Sequence, residues 1–371
     1  MKVCHVSTFL PTPCGIATYT GALIAALPRM ETTTCRLSYE TDSKCAPTKF
    51  DFQLNISQPA AHRRIAERIN DSETDVVSIQ HEFGIFGGAD GEQVNSFAAH
   101  LRKPIVTTLH TTPANPDDSK RRILLELIER SDRVVLLSER SQSNILSYGG
   151  IEPKKTCVIR HGVPPNDIPS CAHLPVRRSS CVLVSAGHYR VEKGYDVALR
   201  ALAILKGEYN DFRFYIVGGV QEQFPRHKAY FETVTTLIHE LDLSENVEQI
   251  TGYASDEVFL EWIKYADFYL VSYRDLTQNS SGMIPLALRC ARPVISTPFE
   301  YAKDMSAIAG GIIISSSCEP EDICKKIKLA ISERLKLNVA MKSVQKTMRQ
   351  WEWPNVAEMY RAVFASCSGT G

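Results

Sequence analysis

"YRDLTQNSSGMIPLALRCARPVIST", Tyr273 to Thr297, runs from a polar loop through Ser280, Ser281 and Gly282 into an apolar helical pattern, then into a short β-branched run. Directly before it stands a second apolar run, "DFYLVSY". Strand, loop, helix, strand, with nearly continuous apolar strands, is the repeating unit of a parallel sheet covered on both faces. The polar turn raises a separate question. A helix N-terminus offers unpaired N–H groups and partial positive charge, so the turn is either an ordinary cap or a seat for phosphate.

Working outward, the same alternation fills the chain. "KVCHVS", "DVVSIQ", "PIVTTLH", "RVVLLS" and "TCVIRHG" read as strands in the first half, and "SCVLVSAG", "FRFYIVGG", "VEQITG", "DFYLVSY" and "PVISTP" in the second. Amphipathic helices fall between them, for example Ile16 to Leu27 and Lys120 to Arg130. The alternation breaks at "VPPNDIPSCAHLPVRRSS", Val163 to Ser180, rich in Pro and Ser and without periodicity. The expectation is an α/β chain of two doubly wound Rossmann-like domains facing a cleft: 1–165, a linker at 166–180, and 181–350. In "QKTMRQWEWPNVAEMYRAVFASC" the residues Trp351, Val356, Met359, Tyr360 and Phe364 mark an apolar helical face, so 351–371 is expected to cross back onto the first domain.

Composition narrows the function classes. Of 371 residues, 42 are Lys or Arg and 42 Asp or Glu, so the formal charge is +0 and no electrostatic footprint for nucleic acid exists. The 11 cysteines are scattered without a C-x-x-C pair, which indicates neither a zinc site nor a disulfide framework. "MKVCHVSTFLP" is too short for a signal peptide and reads as a first buried strand, and no window approaches a membrane span; a cytoplasmic home is expected.

In open parallel sheets ligands bind beyond the carboxyl ends of the strands. After the first strand, "STFLPTPCGIATYTGALIAAL" places Gly15 and Ile16 at the opening of a helix, where glycine suits either close backbone approach to a ligand or a plain turn. "SIQHEFGIFGGADG", Ser78 to Gly91, reads equally as a sugar platform, with His81 or Glu82 bonding hydroxyls beside Phe83, and as a packed Ω-loop with Phe83 and Phe86 in the core. "TTLHTTPANPDD" sets His110 at a strand end, while Asp117 and Asp118 read as a helix cap, since D-x-D spacing is missing. In the second half, "SAGHYRVEKGYD" supplies His188, Arg190 and Lys193, the lysine able to reach a diphosphate as a point charge. Arg190 reads rather as part of a solvated basic turn. "YIVGG" adds Gly218 and Gly219, and "ITGYAS" adds Gly252 and Tyr253, where a nucleobase edge could meet backbone amides. Together these suit a nucleoside diphosphate.

The ordered set "PTPCGIATYTGALIAAL", "IQHEFGIFGG", "TTLHTT", "IRHGVP", "SAGHYRVEKGYD", "YIVGG", "ADFYLVSY" and "SSGMIPLALRCARPVISTP" resembles the GT-B glycosyltransferases of glycosyltransferase family 4 along almost the whole chain. The resemblance implies a retaining, metal-independent transferase that needs no cofactor. A sugar nucleotide would be its co-substrate, bound mainly by the second domain, with a hydroxyl acceptor (glycan, lipid-linked glycan or small molecule) bound by the first. It implies that Lys193 meets the donor diphosphate, that Gly15 lies near the same phosphates, that His110 lies near the transferred sugar, and that Ser280, Ser281, Gly282 and Met283 hold sugar and phosphate through their amides. Four positions depart from the pattern. His188 stands where the family has an arginine, Gln278 and Leu286 where it has two glutamates, and Ala291 near an expected glycine. Those departures sustain an alternative, a degenerate sugar-nucleotide-binding subunit; a GT-B epimerase or phosphorylase is a third reading. Enzymes of this family often take lipid-linked acceptors, and the basic stretch Cys324 to Lys346 fits either peripheral contact at the inner face of the membrane or a solvated helix face. The oligomeric state is not written in the sequence.

Overall fold

The computed structural model describes residues 1–12, 14–38, 49–165, 174–220, 224–252 and 256–368. The chain divides into two compact units, Met1–Gly162 with Trp351–Gly371, and Val163–Gln350.

In the first unit β1 (Lys2–Ser7), β2 (Glu31–Ser38), β3 (Phe52–Asn55), β4 (Val76–His81), β5 (Ile105–Leu109), β6 (Arg133–Leu136) and β7 (Thr156–Val158) form a seven-stranded sheet in the order β3-β2-β1-β4-β5-β6-β7. Every pairing is parallel. Helices α1 (Gly15–Ala25), α2 (Pro59–Asn70), α3 (Gln93–Ala99), α4 (Asp118–Arg130) and α5 (Glu139–Ser147) make the connections. β4 is buried at all six positions, so Ser78, Gln80 and His81 are carried into the interior beside its apolar residues. Helix starts follow local chemistry. The Asp117 carboxylate accepts from the Lys120 N–H at 2.8 Å to cap α4, as its sequence suggests, and Ser138 Oγ accepts from the Ser141 N–H at 3.0 Å to cap α5. α1 is shorter than its apolar pattern: it stops at Ala25, and Leu27 is buried beyond its end.

The last helix of the chain, α13 (Trp353–Ser368), completes this unit. It buries Trp353, Val356, Tyr360 and Phe364, and Tyr360 Oη lies 2.9 Å from Tyr19 Oη on α1. Met359, expected on the same face, is exposed, because it falls outside the stripe that Val356, Tyr360 and Phe364 define.

The second unit repeats the plan. Strands β8 (Cys181–Ala186), β9 (Phe212–Val217), β10 (Val247–Ile250), β11 (Phe268–Val271), β12 (Val294–Ser296) and β13 (Ile312–Ile314) are ordered β10-β9-β8-β11-β12-β13, all parallel. The helices are α6 (Tyr195–Lys206), α7 (Pro225–Glu240), α8 (Asp256–Tyr265), α9 (Met283–Arg289), α10 (Glu300–Ala309), α11 (Pro320–Ser332) and α12 (Arg334–Met348). The basic stretch Cys324 to Lys346 is thus two helices joined at Glu333, with Leu335 and Val339 exposed on α12. Residues 166–173 of the expected linker lie outside the described residues. Arg177, further along it, pairs with Asp267, which Arg334 also meets at 2.9 Å and which accepts from the Val182 N–H at 2.8 Å.

In each sheet the strand order reverses once, between β1 and β4 and between β8 and β11. At such a switch point the two connections leave on opposite sides, and the loops there open a crevice. The loops after β1 and β4, and after β8 and β11, are therefore the places to look for a site. Every described cysteine is a free thiol. Among the described residues no helix is long and apolar enough to cross a membrane, and no group of three or more His, Cys, Asp or Glu is placed to hold a metal ion.

Candidate functional site

At the second unit's switch point the loop after β8 is pressed onto its neighbours. A single turn of three-ten helix, Val191–Lys193, ends at Gly194, whose left-handed backbone (φ 64°) starts α6. A Cβ at Gly194 would sit 2.0 Å from the Ser272 carbonyl oxygen, in the loop after β11. Only glycine permits that approach. The close fit sets Lys193 beside Tyr273: Nζ lies 2.6 Å from the phenol oxygen and 4.1 Å from the ring centroid, while Ser272 Oγ donates to the Lys193 carbonyl at 3.0 Å.

The loop after β9 closes on the same strand end. A Cβ at Gly218 would meet the Gly187 carbonyl oxygen at 2.1 Å. His188 Nδ1 lies 3.3 Å from the Gly219 carbonyl oxygen. Burial pushes the His188 pKa down; the Gly219 carbonyl opposes this, and Lys193 and Arg190 add to it. The position expected to carry an arginine therefore holds an imidazole that favours its neutral form and donates through Nδ1. Arg190 is exposed and paired with Glu192 at 3.5 Å, as a solvated basic turn would be. Tyr253 lies outside the described residues.

After β11 the chain makes the turn that leads into α9. Gln278 Nε2 donates to the Ser280 carbonyl at 2.7 Å and braces the turn. The hydroxyl of Ser281, a residue 8% exposed, has no hydrogen-bond partner among the described residues. A buried polar atom left unpaired is costly and calls for an explanation. Gly282 precedes α9, whose first turn carries no acidic residue and no side-chain cap. Its opening amides on Met283 and Ile284 have no place in the helix ladder, and Pro285 contributes none. Leu286 is buried in α9 and offers no polar group to a ribose.

In the first unit Gly15 is exposed at the opening of α1, and no described atom lies within 4 Å of where its Cβ would be. Ile16 next to it packs against the core. His110 follows β5, 6% exposed, with Nε2 2.9 Å from Gln80 Oε1 and its ring edge-on to Tyr19 at 4.8 Å. Burial, helped by His161 and His81, holds its pKa at about 3, so the ring is neutral at ordinary pH.

The Ser78–Gly91 loop resolves toward the packed reading. Phe86 is fully buried and Phe83 packs on the core. His81 is fully buried between them, edge-on to Phe83 and stacked on Phe86, and neither ring nitrogen has a hydrogen-bond partner among the described residues. The expected acceptor contact at His81 gives way to a core histidine. Glu82 is half-buried, one oxygen accepting from the Phe83 N–H at 2.8 Å and the other from Thr111 Oγ1 at 2.7 Å. Sequence reasoning gave no role to Tyr273, although it stands at the strand end that opens the quoted loop, nor to Gln80, Thr108, Tyr19 and Tyr360, which the fold gathers from four distant segments.

Two doubly wound parallel units, each with glycine-lined loops at its switch point, define the GT-B class of α/β proteins. Residues 14–167 match the model for Glycosyltransferase Family 4 and residues 174–348 that for Glycosyl transferases group 1. The two matches leave little of the chain uncovered, and the chain belongs to the glycosyltransferases of this GT-B, family 4 type. No curated protein matches it. Among solved structures it is similar to Anabaena HepE in complex with UDP and glucose (15% identity, 99% of this chain and 100% of that one, TM-score 0.76). It is also similar to sucrose-phosphate synthase from Thermosynechococcus elongatus (12%, 99% and 100%, TM-score 0.78). A third likeness is to the E. coli trehalose-6-phosphate protein bound with UDP-2-fluoro glucose (13%, 98% and 99%, TM-score 0.75).

Proposed function

We propose that the protein is a retaining glycosyltransferase that moves a sugar from a nucleoside-diphosphate sugar to a hydroxyl acceptor without a metal ion. The observation that carries this reading is Lys193, fixed at the second unit's switch point by Gly194 and resting on Tyr273. A lysine so held is a preorganised counter-charge for the diphosphate that departs, the group on which negative charge grows in the transition state. The amides that open α9 and the unpaired Ser281 hydroxyl add neutral donors in the same strand-end region. HepE's complex with UDP and glucose, and the E. coli protein's with UDP-2-fluoro glucose, make UDP-sugars the first donors to test.

In the step itself, the bond from the anomeric carbon to the phosphate oxygen breaks while the acceptor oxygen bonds to that carbon from the same face. The acceptor proton passes to the departing phosphate oxygen, so configuration is kept and no separate base is required. Thermal-shift and turnover assays with UDP-, GDP-, ADP- and dTDP-sugars test the reading. A stabilising donor whose diphosphate is released supports it, and the anomer of the glycoside formed decides retention.

A second reading is favoured by Leu286 and His188: with no acid at the first and a neutral-leaning imidazole at the second, the chain would bind sugar nucleotides without turning them over. Stabilisation by a donor with no release of diphosphate, across a panel of acceptors, would select it. Peripheral membrane contact is tested separately by liposome flotation, with Leu335 and Val339 of α12 as the exposed apolar residues to replace.

A further inference from the structure

Resting on the reading of Lys193 as the lysine of the donor diphosphate, we propose that His188 is a second ligand of that diphosphate, one that takes up a proton from solvent on Nε2 when the sugar nucleotide arrives. The geometry sets the free state. His188 Nδ1 lies 3.3 Å from the Gly219 carbonyl oxygen, which the Tyr189 N–H also approaches at 3.4 Å. A carbonyl oxygen can only accept, so Nδ1 carries the hydrogen of the neutral ring, and Nε2, on the far side from Gly219, keeps its lone pair. Among the described residues Nε2 has no hydrogen-bond partner.

Two loops pack to hold the ring there. The Gly187 N–H donates to the Val217 carbonyl at 2.9 Å, and Tyr195 Oη donates to the Gly187 carbonyl at 3.1 Å. Lys193 Nζ lies 3.7 Å from where a Cβ on Gly187 would stand, so the ammonium lies against the residue next to His188. The charges that act on the imidazole are Lys193 and Arg190, both positive. Glu192 pairs with Arg190 at 3.5 Å, and from α7 comes His227, itself beside Arg226. Burial and the two cations push the His188 pKa down, against the pull of the Gly219 carbonyl. In the free protein a second N–H on Nε2 would therefore meet cations and no acceptor.

A bound diphosphate reverses both conditions, bringing negative charge to the ring and oxygen acceptors to Nε2. A diphosphate esterified at both ends is itself fully ionised near neutral pH, so the proton taken up belongs to the protein. An arginine at this position would be charged with or without the donor. A histidine instead ties donor affinity to pH. Below its pKa in the free protein it is charged before binding, and above its pKa in the complex it stays neutral after binding. Between the two, a proton enters with each donor, and affinity falls as pH rises, by at most about tenfold per pH unit.

The test is isothermal titration of the full chain with UDP-glucose, GDP-mannose, ADP-glucose and dTDP-glucose at pH 7, in buffers of different ionisation enthalpy, so that the change of heat with buffer counts the protons. The expected result is net proton uptake with the donor that binds, and affinity that weakens from pH 6 to pH 8. In His188→Arg the uptake should vanish and affinity should become flat with pH. In His188→Gln the uptake should vanish too, with binding weaker by about tenfold at pH 6, the loss of one charge-assisted hydrogen bond. A purely structural histidine would change the melting temperature of these variants without moving the proton count. Donor binding by the wild type without proton uptake overturns the proposal and leaves the Lys193 reading standing. Uptake that persists in both variants assigns the proton to another group and overturns it as well. Binding of none of the four sugar nucleotides overturns both readings together.

Discussion

Lys193 donates to the phenol of Tyr273 at 2.6 Å with its ammonium 4.1 Å from the ring centroid, so the lysine is already held at the strand ends by a side-chain partner. A phosphate oxygen of the proposed donor would compete with that phenol oxygen for the lysine's N–H groups. Tyr273→Phe keeps the ring and deletes the competing acceptor, so donor binding should tighten by up to about fivefold, the worth of one hydrogen bond. Isothermal titration with the stabilising donor measures it, and weaker binding would place the phenol among the donor's own contacts.

The glycines divide into two kinds, and one substitution of each separates them. Gly194→Ala forces a Cβ to within 2.0 Å of the Ser272 carbonyl and should lower stability by at least about 2 kcal/mol. Gly15→Ala meets no described atom within 4 Å and should leave the melting temperature unchanged while reducing turnover, because a ligand would be what the methyl group meets. A Gly15→Ala enzyme of normal stability and normal turnover would remove Gly15 from the site.

Ala291 sits where the resemblance called for a glycine, and the structure shows why. α9 ends with the Arg292 N–H on the Ala287 carbonyl and the Ala291 N–H on the Leu288 carbonyl, both at 3.0 Å, and Ala291 takes φ 55°. That is the left-handed closure of a helix that usually falls to glycine. Ala291→Gly should therefore stabilise the fold by about 1 kcal/mol without changing activity, as chemical denaturation would show.

Acid should unfold the protein early. His5 and His81 are fully buried, and burial lowers each pKa to about 4; His110 goes to about 3. The unfolded chain binds those protons near pH 6.5 while the native state does not, so stability falls as pH drops from about 6.5 and stops falling near 4 for His5 and His81 and near 3 for His110. Each residue contributes on the order of 3 to 5 kcal/mol to that loss. His81→Leu removes one of them, and melting temperatures at pH 7 and pH 5 should converge relative to wild type. An unchanged gap would show that His81 does not titrate on unfolding.

Much of the fold was legible because parallel strands buried on both faces write themselves as apolar runs, and ten such runs became strands. β2 and β3 escaped notice: β2 opens "ETTT" and is buried only in its second half, and β3 is four residues long. β13, "III", is a three-residue edge strand. The loop residues Lys193, Gly218 and Ser281 could be listed in advance because they follow strands. What could not be read was which loop packs inward. "QHEFGIFGG" gave no sign that His81 would be sandwiched between phenylalanines while Glu82 stayed half-exposed, since that depends on Ile56 and Thr111 from other segments. The hydroxyl chain from Tyr19 to Tyr360 joins residues 341 apart, beyond any local pattern.

If Lys193 stabilises a departing nucleoside diphosphate, release of that diphosphate from the stabilising sugar nucleotide depends on its ammonium. Wild type and Lys193→Ala are compared at saturating donor, with folding checked by melting temperature. Release by the wild type and a loss of about a hundredfold or more in the folded variant are expected. Equal rates in the two proteins would contradict it.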